Sequence, residues 1–376
     1  MRRPTADRPS QVVGIILLCG AVALSKWWPS VSAAAPDAAD RGGTILAAEA
    51  GRPRVRHSAT TSMVVAPEVP RRGGDAAVPR EVLFTYVARL SEVSEGAQQL
   101  RVWLPLAKTG REQQILSRVV RSPVPYTITE DPEYGNDMLF LSVEPPFPES
   151  LEVAVEYQAR LLGPAGFGGE PPPTPGELAR SLEPRGLVIV DEEVRARAQQ
   201  ATARRATRSE QARGIYDAVI RQVAYDKSVP GWGRGDTRRV CLLGAGNCTD
   251  FHSLFISMSR ASRIPARFKI GVVIPQAASG TIPGYHCWAE FYEEGQGWVP
   301  VDASEAWKRP ELADYYFGAH DPNRFLISVG RDIQLVPIQQ GDPVNMFFYP
   351  YVEVDGQAVD GIEASFQFHD LHAPNV

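Results

Sequence analysis

The chain has 376 residues, with 39 Lys and Arg against 44 Asp and Glu and a net charge of -5. That length accommodates two domains with sizeable cores, and the mildly acidic balance gives no support for a nucleic-acid partner. With four cysteines and no internal repeat, it is neither a disulfide scaffold nor a solenoid.

Residues 1–35 read as a signal peptide. Arg2, Arg3 and Arg8 precede an apolar run over 12–24, and small residues follow at 30–35. The run is short of the ~20 residues that span a bilayer. The expectation is therefore an exported protein, periplasmic or extracellular, with no stable membrane span after signal removal. An uncleaved anchor is the alternative, because Trp27 and Trp28 lengthen the tract. Cys19 belongs to the removed segment, which leaves Cys241, Cys248 and Cys287 in the mature chain. An odd number cannot all pair, so at least one free thiol is expected. A Cys241–Cys248 bridge stays open at this point. Residues 36–79 are rich in Ala, Arg, Gly and Pro without periodicity and read as a flexible linker.

Residues 80–162 change to short alternating runs. Strands are predicted over 82–90, 100–104, 115–120, 138–143 and 151–161, separated by turn-prone residues that include Tyr134-Gly135-Asn136. An all-β, sandwich-like domain is the simplest arrangement, with Trp103 and Phe140 in its core. Residues 163–200 form a Gly/Pro-rich linker with a short helix after Pro184, and the remaining domain runs over 201–376. Its first element is an amphipathic helix over 209–225, with Ala212, Ile215, Tyr216, Val219 and Val223 on one face.

Next comes Gly246-Asn247-Cys248-Thr249-Asp250-Phe251-His252. Asn247 suits an N-cap, and Asp250 three residues on completes a capping-box-like pattern. Phe251, Leu254, Phe255, Met258 and Ala261 recur at helical spacing, and Pro265 closes the segment. Cys248 is thus placed at the first position of a buried helix, where unpaired N–H groups and the helix dipole favour a thiolate. A central strand is predicted over 266–274, then a Gly/Ser/Ala loop over 276–284. Tyr285-His286-Cys287-Trp288-Ala289-Glu290 and Trp298-Val299-Pro300-Val301-Asp302 read as the two strands of a hairpin. If that hairpin is symmetric about Glu294, His286 and Asp302 face each other directly, which suits a carboxylate orienting an imidazole toward a thiol. A loop is expected at 303–308, and final strands after Asn345 complete the sheet.

Residues 231–350 resemble the transglutaminase-like superfamily of papain-fold cysteine enzymes. The resemblance rests on Gly-Asn-Cys-Thr-Asp, Ile264-Pro265-Ala266-Arg267, Tyr-His-Cys-Trp-Ala-Glu and Trp-Val-Pro-Val-Asp, in that order and spacing. It implies an α+β fold in which the Cys-bearing helix packs on an antiparallel sheet, behind the all-β sandwich-like domain. It also implies Cys248 as nucleophile, His286 as base and acid, and Asp302 as orienter, acting on a protein or peptide substrate by acyl transfer or by hydrolysis, with no cofactor. A non-catalytic scaffold with the same fold is the third reading. An upstream Trp or Tyr helping an oxyanion would be Trp232 or Tyr225, although the Cys248 backbone N–H is the better donor.

Bland alternatives stand beside these. Cys248 alone is compatible with an inert buried cysteine, and Asp302 with a simple strand end. Cys241, Cys248, His252 and Cys287 do not match a zinc spacing, and no acidic loop has calcium-ligand spacing, so no metal is expected. His252 is expected to hydrogen-bond within the fold, with Cys287 directed away from His286 on its strand.

Overall fold

The computed structural model describes residues 79–91, 93–162, 171–359 and 362–371. The signal-peptide segment and nearly all of the linker expected at 36–79 lie outside the described residues.

Chain order begins with six strands: β1 (Arg80–Leu90), β2 (Leu100–Leu106), β3 (Gln113–Arg121), β4 (Thr127–Glu130), β5 (Asp137–Val143) and β6 (Leu151–Leu161). Helices α1 (Pro175–Arg180), α2 (Glu192–Thr202) and α3 (Arg208–Gln222) follow. Then come β7 (Ala224–Tyr225), α4 (Thr237–Leu243), β8 (Ala245–Gly246) and α5 (Cys248–Ala261). The next set is β9 (Ala266–Val273), β10 (Ser279–Ile282), β11 (His286–Glu293), β12 (Gly297–Val301) and α6 (Ala303–Lys308). The last strands are β13 (Arg324–Val329), β14 (Tyr351–Val354), β15 (Gln357–Ala358) and β16 (Ile362–Asp370).

The five strands expected in the first β region are all present, because their alternation is clean. In β6 the odd-numbered residues 151–161 are buried and the even-numbered ones are not. β4 escaped notice because it is short and mostly exposed. These strands form two antiparallel five-stranded sheets, ordered β10-β16-β1-β6-β3 and β15-β14-β2-β5-β4. The expectation that the tail completes the sheet behind Cys248 does not hold. β16 pairs with β1 over its whole length, and β14 pairs with β2. β10, predicted as loop, is a short edge strand on β16. Trp103 is fully buried in a small cluster with Met138, Ile333, Leu335 and Phe347, while Phe140 is partly buried against its ring.

The Cys-bearing helix packs on a separate antiparallel sheet, ordered β12-β11-β9-β13. The helix is enclosed by helices as well as by this sheet, because α2, α3, α4 and α6 also pack on it. Cys248 through Ser259 are all buried. A helix surrounded on every side needs partners for its polar residues. Ser257 bonds Thr237 at 2.8 Å, and Ser253 receives a hydrogen bond from Arg331 at 2.5 Å.

β13, at the edge of this sheet, shows how the upstream region supports the core. An edge strand leaves backbone N–H and C=O groups without a neighbour. Two side-chain amides supply one. Asn136 donates to the Val329 carbonyl at 2.8 Å and accepts from the Val329 N–H at 2.8 Å. Gln113 donates to the Leu326 carbonyl at 2.8 Å and accepts from the Leu326 N–H at 2.7 Å. Each amide thus acts as one residue of a further strand, on either side of the register shift between Leu326 and Ser328. Truncating Asn136 strands one buried donor and one acceptor, at about 1–3 kcal/mol each. Asn136→Ala is expected to lower the urea midpoint, and Asn136→Asp, which keeps the acceptor but not the donor, to lower it as well.

Candidate active site

Site assembly begins with the capping of α5. Asn247 is its N-cap. The Asn247 side chain accepts the Thr249 N–H at 2.9 Å, and its carbonyl accepts those of Asp250 and Phe251 at 3.0 and 3.1 Å. A helix start leaves four N–H groups without intrahelical partners, here those of Asn247, Cys248, Thr249 and Asp250, and three are met: Thr249 and Asp250 by Asn247, and Asn247 by Asp250. The fourth belongs to Cys248, and no acceptor engages it among the described residues. Asp250 closes the capping box by accepting the Asn247 N–H at 2.9 Å. The same carboxylate accepts the N–H groups of Gly233 at 2.7 Å and Gly235 at 3.1 Å. It therefore ties the preceding loop to the helix start. Gly233 and Gly235 carry φ of +80° and +65°, which side chains rarely tolerate.

Cys248 is 2 % exposed and His286 8 %. Each shifts the other's proton affinity, the thiol downward and the imidazole upward. His286 uses Nε2 for Asp302, 2.6 Å from Oδ2, so Nδ1 is the nitrogen left for sulfur. Burial opposes charge on His286, but the Asp302 carboxylate outweighs it and pushes the imidazole up to about 9. Hydrogen bonding from Cys287 and His286 overcomes burial at Cys248 and holds its thiol well below the ordinary range. Both shifts favour a thiolate beside an imidazolium. All three cysteines of the described residues are free, so the Cys241–Cys248 bridge left open by the sequence does not form. Burial raises the Cys241 thiol to about 11.

The hairpin is not centred on Glu294. Ala289 pairs with Val301 and Glu293 with Gly297, which puts the centre at Gly295. Gln296 N–H bonds the Glu293 carbonyl at 3.1 Å, and Gly295 has φ of +83°. Those are the marks of a type II turn, which needs a glycine at its third position. Asp302 consequently lies beyond the end of β12, not directly across from His286. The shift is an even number of residues, so Asp302 keeps the His286 face. Residues 303–308, expected as a loop, form α6, and Asp302 is its N-cap. Oδ1 accepts the Glu305 N–H and the Ser304 hydroxyl, each at 2.9 Å. The capping role and the histidine contact thus coexist on one carboxylate.

Sequence reasoning missed Arg324, which is 1 % exposed at the start of β13. Its Nη1 lies 2.6 Å from Asp302 Oδ2, its Nη2 3.4 Å from Asp321 Oδ2, and its guanidinium sits over the Trp288 ring at 5.2 Å. Burial would raise the Asp302 carboxyl, but His286 and Arg324 hold it well below the usual range. The available signal was a charge opening the apolar run Arg324-Phe325-Leu326-Ile327.

Tyr225 lies close enough that charge on Cys248 and Cys287 raises its hydroxyl further, after burial. It stands beside Gly246 in the two-residue parallel pair of β7 and β8. Its ring carries Lys308 Nζ at 4.2 Å and faces Trp307 at 6.3 Å. Trp232 is 41 % exposed in the loop that Asp250 tethers, with Lys227 over its ring. His252 hydrogen-bonds within the fold, its Nε2 accepting the Ala303 N–H at 3.2 Å, and Cys287 faces α5, its Sγ 3.7 Å from both His252 Nδ1 and Thr249 Oγ1. A small cavity lined by Arg185, Arg260, Arg331 and Asp332 lies against the opposite end of α5, about 12 Å or more along the axis from Cys248 at 1.5 Å per residue. Its Arg260 and Arg331 donors are already committed to backbone carbonyls and side-chain acceptors.

Residues 195–303 match the transglutaminase-like superfamily. An uncharacterized protein of Haemophilus influenzae is 26% identical over 314 residues, which is 72% of this chain and 85% of that protein. Among solved structures, a protein of Cytophaga hutchinsonii proposed to be a cysteine protease aligns with a TM-score of 0.54 at 15% identity, covering 81% of this chain and 93% of that one. The periplasmic domain of TgpA from Pseudomonas aeruginosa, bound to ethylmercury, aligns at 0.31 with 16% identity, covering 64% and 94%.

Removing Arg324 would leave two buried carboxylates short of a counter-ion. Loss of one partner from a buried pair costs about 3–5 kcal/mol, so Arg324→Leu is expected to lower stability by that order in urea unfolding. A change below about 1 kcal/mol would show that Asp302 does not depend on it.

Proposed function

We propose that this chain, which belongs to the transglutaminase-like superfamily through residues 195–303, is a cysteine-based enzyme that transfers the acyl group of a carboxamide or peptide through a thioester on Cys248. The observation that carries the reading is the convergence of three side chains: His286 bonds Asp302 at 2.6 Å and lowers the thiol of Cys248, which stands at the first position of α5. A thiolate there attacks the carbonyl carbon. The developing oxyanion is met by the Cys248 N–H and the positive end of the helix. His286 imidazolium passes its proton to the departing amine or ammonia as the C–N bond breaks, leaving the thioester and a neutral imidazole. That imidazole then takes a proton from the incoming amine as it attacks, and the thiolate leaves with the new amide formed. Water in place of the amine gives hydrolysis by the same steps.

Asp302 holds the ring so that Nδ1 meets sulfur, and it balances the imidazolium charge. Tyr225 and Trp232 are read as walls of the substrate cleft, suited by their rings and neighbouring lysines to a protein or peptide. The basic start and apolar run at 2–24 support an exported protein. Among the described residues no helix is long and apolar enough to cross a membrane.

Incubation with a Gln-containing peptide, with and without a primary amine, tests the chemistry. Amine-dependent adduct formation is expected. Release of ammonia or cleavage without amine incorporation would make the enzyme a hydrolase, and no turnover together with no labelling by iodoacetamide would remove the enzyme reading. Cys248→Ala is expected to abolish both turnover and labelling at that position. The activity should decline as pH rises through about 9, because the proton needed by the leaving group is lost from His286 there. An alkaline limb that persists unchanged to pH 10.5 in a kcat/KM profile would contradict that assignment.

A further inference from the structure

The end of β11 that carries His286 has a strand neighbour on one side. His286 lies opposite Gly271 of β9, while pairing with β12 begins at Ala289. Strand ends with few neighbours open most easily, so side chains must hold this one. Tyr285, the residue before His286, reaches across to the start of α5. Its Oη lies 2.9 Å from Asn247 Nδ2 and 3.1 Å from Thr249 Oγ1. Those two residues flank Cys248 in the chain, and both are buried. The Asn247 amide has its direction set by the helix. Its Oδ1 accepts the Thr249 N–H as the cap, which turns Nδ2 toward the tyrosine.

We propose that Tyr285 is a positioning residue for the reaction: its hydroxyl clamps both neighbours of Cys248, and so fixes the nucleophile and its backbone N–H against the strand end that carries His286. The base is one covalent step from Tyr285. The nucleophile is one step from Asn247 and one step from Thr249. A single hydrogen bond would fix a distance and leave the helix start free to pivot. Two bonds from one oxygen, to residues on either side of Cys248, remove that freedom. Reaching the same two residues through the sheet requires a longer path, by way of β9 and the body of α5. The clamp therefore bears on the quantity the chemistry depends on, since a displacement of about 1 Å at reacting groups can cost on the order of a hundredfold in rate.

The surroundings suit a fixed hydroxyl. The Tyr285 ring packs on Phe348 at 5.7 Å and Tyr349 at 6.3 Å. Gly233 closes the third side, because a Cβ there would fall 3.2 Å from Asn247 Nδ2 and 3.4 Å from Tyr285 Oη. Burial, and then negative charge at Cys248 and Cys287, raises the tyrosine hydroxyl, so it keeps its hydrogen. It accepts from Asn247 Nδ2 and shares a second hydrogen bond with Thr249 Oγ1. A plainer role would be to satisfy the buried Asn247 amide, which would affect stability alone. The proposal rests on Cys248 as nucleophile and adds what sets it in place.

Tyr285→Phe in the full chain tests it, because the ring and its packing stay while both bonds go. With a Gln-containing peptide and a primary amine, kcat is expected to fall at least about tenfold, with KM within about twofold of the wild type, the pattern of an interaction that serves the transition state. Alkylation of Cys248 by iodoacetamide at pH 6, followed by peptide mass spectrometry, should slow as well, because a thiolate parted from its imidazolium is scarcer there. Thr249→Val removes one of the two bonds and should lower kcat less. The double variant should match Tyr285→Phe alone. A folded Tyr285→Phe protein with wild-type kcat and wild-type alkylation overturns the proposal while leaving Cys248 as nucleophile, and a lowered urea midpoint beside those values gives the hydroxyl a structural role only. A raised KM with unchanged kcat overturns it in favour of a substrate contact. Losses that multiply in the double variant overturn the shared clamp. Absence of both turnover and Cys248 alkylation in the wild type would instead overturn the nucleophile assignment, and this proposal with it.

Discussion

One carboxylate organises the site. Asp302 Oδ2 meets His286 Nε2 and Arg324 Nη1, each at 2.6 Å, while Oδ1 caps α6. A buried charge is expensive unless it is fully paired, and here each oxygen is occupied. Three elements around the His286 imidazole are anchored to the same group: β11 through His286, β13 through Arg324, and α6 through its first turn. The charge balance follows from this arrangement. With Asp302 held ionised between two cations, His286 keeps its proton, and the protonated imidazole can sustain a thiolate beside it.

A second carboxylate does the corresponding work at the other side of the sulfur. Asp250 accepts N–H groups from Asn247, Gly233 and Gly235. The start of α5 and the loop before α4 are therefore set by one group. Gly246 admits no side chain, because a Cβ there would fall 2.1 Å from Asp250 Oδ2. The Cys248 backbone is held against α5's own dipole by contacts that leave only its N–H uncommitted among the described residues. The upstream β region is connected to this core through hydrogen bonds as well as packing, since Asn136 and Gln113 complete β13, the strand that carries Arg324.

What was legible in the sequence followed short-range rules. The capping box of α5 depends on residues three apart, and the strands of the first β region depend on period-two alternation. Both were visible without a fold. Less visible were features whose cause lies far along the chain. The loop expected at 303–308 is a helix because Asp302 caps it, in a segment with little apolar periodicity. β10 is a strand because β16 lies beside it, some ninety residues on, a distance over which local pattern carries no information. The hairpin centre was missed by one residue because symmetry was assumed where glycine conformation decides. The face was nonetheless right, since the resulting change in pairing was even.

By itself, the sequence determined that a cysteine would open a buried, capped helix, that a histidine and an aspartate would follow on a hairpin in a fixed order, and that strands would precede them. Those conclusions rest on interactions between near neighbours, where the covalent chain already sets the geometry. Only the tertiary structure decided that the last strands join the first sheets, that Arg324 completes the Asp302 pair, and that Cys287 of β11 meets His252 of α5. Such contacts unite residues separated by tens to hundreds of positions. They are selected by burial, where each polar group must find a partner, and no local pattern announces which partner that will be.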